Sequence, residues 1–196
     1  MIRIGVIGGI GSGKSFIAKL FKYPVFNADK EVNLIYRNNK ECFKKLKKRL
    51  PNYIKSYPVK KDELIRAISS NNKNLKLISS IVHPIVRRKM KKFLKEKIKS
   101  KIVILDIPLL IENKLYRKGD ILVFVNSNKS KIISRLKKRK NYNKKVINIL
   151  KKLQYKSSKK IKLSHFTIYN NADKKNILKQ IKQIKTRIND RSSFGH

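Results

Sequence analysis

A glycine-rich segment near the N-terminus is the feature that most constrains this chain. Residues 8–15 read Gly-Gly-Ile-Gly-Ser-Gly-Lys-Ser and match the pattern G-x-x-x-x-G-K-[ST] at every fixed position. The apolar run 4–7 precedes the segment, and residues 15–21 follow with apolar side chains at helical spacing. A strand, a glycine loop and a helix in this order are the context in which the pattern binds phosphate. A glycine turn that precedes Lys-Ser by chance is the alternative, and the flanking elements disfavour it.

Each residue type in this segment has a physical role. Glycine permits backbone conformations with positive φ and lets an anion approach the main chain closely. Successive N–H groups then form an anion-binding nest at the start of a helix. We expect the Lys14 ammonium to contact the β- and γ-phosphates of a nucleoside triphosphate and the Ser15 hydroxyl to bind Mg²⁺. The residues predicted to bind this nucleotide are Gly9, Ile10, Gly11, Ser12, Gly13, Lys14, Ser15 and Phe16.

The composition is typical of a single globular domain. The chain has 196 residues and 40% of them are hydrophobic, which suits one core with small insertions. Cys42 is the single cysteine, so neither an internal disulfide nor a cysteine-based metal site can form within the chain. No apolar run approaches the length of a membrane span. We therefore expect a soluble cytoplasmic protein without a membrane partner.

The charge balance is strongly basic. Lys and Arg total 52 against 11 Asp and Glu, which gives a formal net charge of +41. Such a charge can bind nucleic acid through phosphate contacts. However, the lysines are spread along the whole chain and alternate with Ile and Leu, as on solvated helix faces. We therefore expect no specific nucleic-acid partner, although the field should attract small anionic substrates.

Short apolar runs separated by helical patterns indicate the fold class. Strands that alternate with helices predict a parallel sheet with right-handed crossovers. Together with the phosphate-binding pattern, this predicts an α/β P-loop NTPase fold of three layers. The predicted strands cover residues 4–7, 25–26, 102–105, 121–125 and 166–169.

The region 31–99 carries helical patterns without a strand signal, so a helical insertion is expected between the second and third strands. Asp62 is a candidate acidic N-cap within it. His83 and Pro84 are expected to break a helix, because proline disfavours the helical conformation of the residue before it. A helix is predicted to begin at about residue 30, and the later helices predicted in the insertion cover residues 41–50, 62–69, 75–82 and 85–98.

Two carboxylates follow predicted strands. Asp29 comes after the second strand and Asp106 ends the third. Because ligands bind beyond the carboxyl ends of parallel strands, both should lie beside the phosphate loop. Asp106 is predicted to hold Mg²⁺ directly or through water, and Asp29 to orient or accept the proton of an incoming hydroxyl. A helix N-cap is the structural alternative for each.

Other charged residues give weaker signals. Arg135 and Arg139 lie four residues apart, on one face of a predicted helix. They suit a mobile lid that closes over the triphosphate, and plain surface charge is equally compatible with their position. His83 is a candidate substrate contact, although a lone histidine more often has a structural role.

These residues make the chain resemble the dephospho-coenzyme A kinase family from residue 4 to about residue 184. The phosphate loop alone is common to many kinases. The apolar segment after Asp106, with His-Pro upstream and an Arg-x-x-x-Arg pair downstream, is far more specific. The matching motifs are the phosphate loop, Asn27-Ala28-Asp29, His83-Pro84-Ile85-Val86-Arg87, residues 106–112, Arg135 with Arg139, Gln154 and residues 166–170.

The resemblance implies a fold related to nucleoside monophosphate kinases. It implies a core at about 1–30, 100–130 and 164–190, an acceptor-binding helical insertion at about 31–99, and a lid at about 131–160. The implied reaction transfers the γ-phosphate of ATP, with Mg²⁺, to the ribose 3′-hydroxyl of dephospho-coenzyme A. The implied partner is thus a small molecule, and the oligomeric state stays open.

The resemblance also implies roles for single residues. Asp29 matches the proposed catalytic base, and Lys14 and Arg139 complete the expected catalytic set. The implied binding residues are Arg135 and Asn170 for ATP, Ser15 and Asp106 for the metal, and His83, Arg87, Leu109 and Glu112 for the acceptor.

Some positions depart from the family pattern. Ile7 stands where the family usually has Thr, Asn27 where it usually has Asp, and Phe16 where a second hydroxyl follows the loop serine. Ser164-His165 replaces a frequent Ala-Asp. A nucleoside monophosphate kinase or a shikimate-type kinase shares the loop and lid and remains an alternative. A nucleic-acid-binding NTPase, which the charge would suit, is the alternative from another class.

Overall fold

The computed structural model describes residues 1–138, 142–171 and 173–193, with side chains up to residue 190. Within these ranges the strands form one parallel sheet of five. The strands are β1 (Ile2–Gly8), β2 (Val25–Asn27), β3 (Ile102–Asp106), β4 (Ile121–Asn126) and β5 (Phe166–Tyr169). All five predicted strands are confirmed, most with one to three extra residues.

The strand order is β2-β3-β1-β4-β5. β1 therefore lies at the centre and pairs in parallel with β3 on one side and β4 on the other. The chain leaves β1 at the point where the strand order reverses, which is where open α/β sheets bind ligands. The glycine loop lies there.

Helices connect the strands. Four of them, α2 to α5, lie between β2 and β3 in the chain, as the helical patterns predicted. No helix among the described residues combines the length and apolarity needed to cross a membrane. The helices are α1 (Lys14–Leu20), α2 (Ala28–Asn38), α3 (Lys40–Arg49), α4 (Lys61–Ser70), α5 (Asn72–Glu96), α6 (Lys129–Lys137), α7 (Lys144–Lys152), α8 (Ser157–Leu163) and α9 (Lys174–Ser193).

The sheet is covered on both faces, because alternate strand residues point to opposite sides. On one face Ile4 and Ile104 pack with apolar residues of α1 and α9. On the other face Val103 and Leu105 pack with Met90 and other residues of α5 and with the segment after β3. The three-layer α/β fold is therefore confirmed.

The helices between β2 and β3 have a core of their own. Ile35 of α2, Leu46 of α3, Leu64 of α4 and Ile78 of α5 are buried together. This part of the chain therefore has a hydrophobic cluster separate from the two that cover the sheet. The division into core, acceptor-binding insertion and lid stays a prediction.

The expected helix break at His83-Pro84 is wrong. α5 runs without interruption from Asn72 to Glu96 with Pro84 inside it. Proline lacks the N–H that would bond to the carbonyl one turn earlier. Buried residues on both sides of the proline, Val82 and Met90, hold the helix together by packing.

Two predicted helix starts also differ. Asp62 is not the N-cap of α4, because the helix begins at Lys61 and Lys60 is the cap residue. Asp62 instead lies in the first turn, where its negative charge still interacts favourably with the positive N-terminal end of the helix dipole. α2 begins before the expected position, because the Asn27 side chain accepts a hydrogen bond from the Lys30 N–H at 2.7 Å and caps the helix.

A buried ion pair anchors the chain between β3 and β4. Arg3 of β1 and Asp120 lie 2.9 Å apart, with side chains only 7% and 5% exposed. Arg3 also donates to the Leu115 carbonyl at 3.3 Å, and Asp120 accepts from the Arg117 N–H at 2.9 Å. The pair therefore ties the connection between β3 and β4 to the central strand β1.

Removing one partner of this pair should strongly destabilise the fold. We expect Asp120→Ala to lower the free energy of unfolding by about 3 kcal/mol, because it leaves a buried guanidinium unpaired. Glu96→Ala is the matched control, since its ion pair with Lys92 is exposed and 3.9 Å long, and it should cost less than about 1 kcal/mol. Urea denaturation of both variants measures the difference, and equal losses would contradict the prediction.

Candidate active site

The glycine loop has the backbone that its sequence predicts. Gly11 and Gly13 have φ values of 81° and 91°, which lie in the left-handed region. Gly13 also has no room for a side chain, because a Cβ there would collide with the side-chain amide of Asn170. Glycine at this position is therefore required by conformation and by packing together.

The Lys14 side chain folds back over the loop. Its ammonium donates to the Gly9 carbonyl at 2.9 Å and to the Gly8 carbonyl at 3.2 Å. These bonds hold the cation at the mouth of the loop, at the carboxyl end of β1. The position suits an ammonium that contacts a bound phosphate chain.

Asp106 lies beside the loop, at the end of β3. Burial raises the pKa of its carboxyl above the usual value, and the Asp29 carboxylate adds to this effect. A hydrogen bond with the Ser15 side chain, the charge of Lys14 and a hydrogen bond from the Asn27 amide act in the opposite direction. Thus the end of β2, the end of β3 and the loop meet at one place.

The groups around Asp106 fit a magnesium ion bound together with a nucleotide. Among the described residues, no cluster of three or more His, Cys, Asp or Glu side chains could hold a metal by itself. One carboxylate and the Ser15 hydroxyl are nevertheless typical, because Mg²⁺ in phosphate-transfer sites takes few protein ligands and keeps waters and phosphate oxygens.

A cleft of about 130 Å³ opens next to this cluster. Its walls are mostly apolar, and its polar groups are Asp29, His83, Arg87 and Asn113. Three of these groups and Leu109 were predicted from the sequence, and the structure brings them together. The remaining lining residues are Ala28, Val32, Val86, Ile107, Pro108 and Leu115.

Asp29 occupies the junction between the cleft and the phosphate loop. It lies in the first turn of α2, is exposed, and lines the cleft. Its charge also influences Asp106 on the other side. Asn27, and not Asp29, caps the helix, so the structural alternative considered for Asp29 does not apply.

Burial lowers the pKa of His83 below its usual value, and the nearby Arg87 cation lowers it further. The imidazole is therefore neutral at pH 7 and can either donate or accept a hydrogen bond in the cleft. His83 and Arg87 lie one turn apart on α5, which places both side chains on the same face.

Arg135 and Asn170 lie behind the glycine loop. The Arg135 guanidinium donates to the Ser12 carbonyl at 3.2 Å, to the Ser127 hydroxyl at 2.9 Å and to the Asn170 carbonyl at 3.1 Å. The Asn170 amide donates to the same Ser12 carbonyl at 2.8 Å. Both residues therefore brace the loop, and their predicted contacts with ATP stay predictions.

One predicted acceptor contact is not among the described residues that line the cleft. Glu112 does not line it, and instead forms an ion pair with Lys160 at 2.9 Å. Arg139, predicted to act in catalysis, lies outside the described residues. Lys160 was not predicted, because nothing in its local sequence pattern distinguishes it from the other 51 basic residues.

The departures from the family pattern are accommodated in the structure. Ile7 is buried in the core beneath the loop. Asn27 both caps α2 and donates to Asp106, whereas a carboxylate at that position would repel Asp106. Phe16 is 45% exposed. The His165 ring nitrogen Nδ1 accepts from the Leu122 N–H at 3.0 Å, which ties β5 to β4.

The parallel sheet, the glycine loop at its switch point and the adjoining cleft define a P-loop kinase. Residues 2–176 match the dephospho-CoA kinase family, and the chain belongs to that family. It is therefore a phosphotransferase.

Individual relatives are similar over nearly their whole length. A dephospho-CoA kinase of the Wolbachia of Brugia malayi is 32% identical over 186 residues, which cover 92% of this chain and 95% of the relative. A crystal structure of a Thermus thermophilus protein matches with a TM-score of 0.77 and 26% identity, over 95% of this chain and 96% of the other. A dephospho-CoA kinase from Campylobacter jejuni has the same fold, with a TM-score of 0.66 and 18% identity over 97% and 98% of the two chains.

The charge of Arg87 should be measurable in the titration of His83. We expect the His83 pKa to lie below 6.5 and to rise in Arg87→Gln, while burial keeps it below the usual value. The unfolded chain binds this proton more readily, so the contribution of His83 to stability is present above about pH 6.5 and is lost below it. NMR titration of the imidazole signals measures the pKa, with His83→Gln for assignment.

The control for this titration is Arg88→Gln, because Arg88 is an exposed neighbour that does not line the cleft. It should move the His83 pKa much less. A His83 pKa at or above 6.5 in the unmodified protein would contradict the prediction.

Proposed function

We propose that this protein transfers the γ-phosphate of ATP to the ribose 3′-hydroxyl of dephospho-coenzyme A, giving coenzyme A and ADP. The observation that carries the proposal is the position of Asp29. It lines the cleft that contains His83 and Arg87, and its charge acts on Asp106 beside the phosphate loop. An acceptor hydroxyl in the cleft would thus meet a carboxylate next to the bound phosphate chain.

On the nucleotide side, the loop amides and Lys14 would hold the β- and γ-phosphates. In phosphoryl transfer, catalysis consists mainly of positioning and charge stabilisation. Ser15 and Asp106 would hold Mg²⁺, which neutralises phosphate charge when bound. The hydrogen bonds of Arg135 and Asn170 to the Ser12 carbonyl keep the loop in its phosphate-binding shape.

On the acceptor side, the cleft offers apolar walls and few polar groups. Asp29 would accept or orient the proton of the attacking hydroxyl. The permanent positive charge of Arg87 suits a phosphate group of the acceptor. A neutral His83 can form a hydrogen bond with the sugar or base without adding charge. Leu109 and the other apolar lining residues would exclude water.

An acceptor assay tests the proposed function. We expect rapid turnover of dephospho-coenzyme A and little or none of AMP, CMP or shikimate, each with ATP and Mg²⁺. ATP hydrolysis in the presence of DNA or RNA is the control for the strongly basic charge, and it should not be stimulated. Preferred turnover of AMP or shikimate, or hydrolysis that depends on polynucleotide, would reject the assignment.

Replacement of the proposed base should impair the chemical step. We expect Asp29→Asn to reduce kcat while leaving ATP affinity nearly unchanged, because the residue faces the acceptor and the amide preserves its shape. Lys14→Ala is the contrasting variant and should cost at least about 3 kcal/mol of transition-state stabilisation through loss of a preorganised charge contact. Steady-state kinetics and ATP titration separate the two effects. Unchanged turnover in Asp29→Asn would show that it is not the base.

A further inference from the structure

Lys160 is a charged side chain in an unusual environment. It lies on α8, at the end of the predicted lid region, and its side chain is 2% exposed. Its ammonium is 2.9 Å from the Glu112 carboxylate, whose side chain is 7% exposed. A buried ion pair of this kind contributes little net stability compared with apolar residues, so stability alone does not account for it.

The pair links three functional parts of the molecule. The Lys160 ammonium reaches the Gly8 carbonyl at 3.4 Å, at the start of the phosphate loop. The same Glu112 oxygen accepts from the Tyr155 N–H at 3.0 Å, in the link between α7 and α8. Glu112 itself lies in the segment 107–115, which forms one wall of the acceptor cleft.

The contact with Gly8 brings Lys160 close to Lys14. The Lys14 ammonium donates to the same Gly8 carbonyl at 3.2 Å, so both cations lie within 3.4 Å of one oxygen. If Lys14 binds a phosphate oxygen as the proposed function requires, the Lys160 contact with the Gly8 carbonyl would remain, because Glu112 holds the Lys160 ammonium from the other side. Lys160 would thus support the loop independently of Lys14.

Segment 107–115 connects Glu112 to the residues that line the cleft. It is closed by its own main-chain bonds, from the Asn113 N–H to the Leu109 carbonyl at 3.0 Å and from the Leu115 N–H to the Leu110 carbonyl at 2.9 Å. Leu109, Asn113 and Leu115 all line the cleft. A displacement of Glu112 therefore moves the surface that the acceptor would contact.

We propose that Lys160, paired with Glu112, is a positioning residue. It keeps the phosphate loop and segment 107–115, which lines the cleft, in fixed positions relative to each other. It contacts neither substrate and acts through Gly8 and this segment. The inference rests on the proposed function for the identity of the acceptor. It differs from the role that resemblance implied for Glu112, which was a direct contact with the acceptor.

Four variants test this role: Lys160→Met, Lys160→Arg, Glu112→Gln and the double variant Lys160→Met/Glu112→Gln. We expect Lys160→Met to lower kcat at least about tenfold and to weaken ATP binding at least about fivefold, since the loop loses its fixed contact. Lys160→Arg should retain most of the kcat and most of the ATP affinity, because a guanidinium can donate to the same carboxylate. The double variant should be no worse than the poorer single variant, as residues that act as a unit are not additive.

The matched control is Lys162→Met, which removes an exposed lysine from the same helix and should leave both quantities unchanged. Urea denaturation gives the folded fraction at the assay temperature, and rates are expressed per folded enzyme. Lys160→Met with lower stability but unchanged kcat and ATP affinity would show a purely structural role and overturn the proposal. Effects that multiply in the double variant would also overturn it.

The outcome distinguishes this inference from the proposed function. If the unmodified protein does not phosphorylate dephospho-coenzyme A, the proposed function fails, and the ATP affinities of the same variants still test the support of the loop by Lys160. If Glu112→Gln alters only the KM for the acceptor while Lys160→Met alters nothing, Glu112 is an acceptor contact and the positioning role is rejected.

Discussion

Parallel pairing of β1 with β3 and β4 determines where the reacting groups lie. The registers bring the carboxyl ends of the strands to one edge of the sheet. The glycine loop leaves β1 there, Asp106 ends β3 beside it, and β2 pairs with β3 so that Asn27 lies opposite Asp106. A register shift would turn strand side chains to the other face, and this meeting of loop and carboxylates would be lost.

Electrostatic contrast is a second organising feature. In a chain with 52 basic and 11 acidic residues, four of the acidic side chains lie at the phosphate site or beside a buried cation. Asp29 and Asp106 lie at the phosphate edge, and Glu112 and Asp120 neutralise the buried cations Lys160 and Arg3. The remaining excess of positive charge favours the approach of anionic substrates from solution.

Local patterns in the sequence were sufficient for much of the fold and part of the candidate site. The loop motif specified its own backbone, and apolar runs located all five strands. The resemblance to the kinase family also predicted an acceptor site that contains His83, Arg87 and Leu109 and faces Asp29.

Contacts between distant parts of the chain could not be expected in the same way. The strand order and the Lys160–Glu112 pair depend on packing across more than 40 positions, which no local window contains. The predicted helix break at His83-Pro84 was wrong, because buried neighbours outweighed the local preference of proline.

The uninterrupted course of α5 has a mechanical consequence. One end of the helix, around Ile78, belongs to the core of the insertion, and the other, around Met90, is packed on the sheet. His83 lies between these anchors, beside the proline where one main-chain bond is missing. A helix bends most easily at such a point, so any change in the angle between the two anchored ends of α5 would carry the His83 imidazole with it.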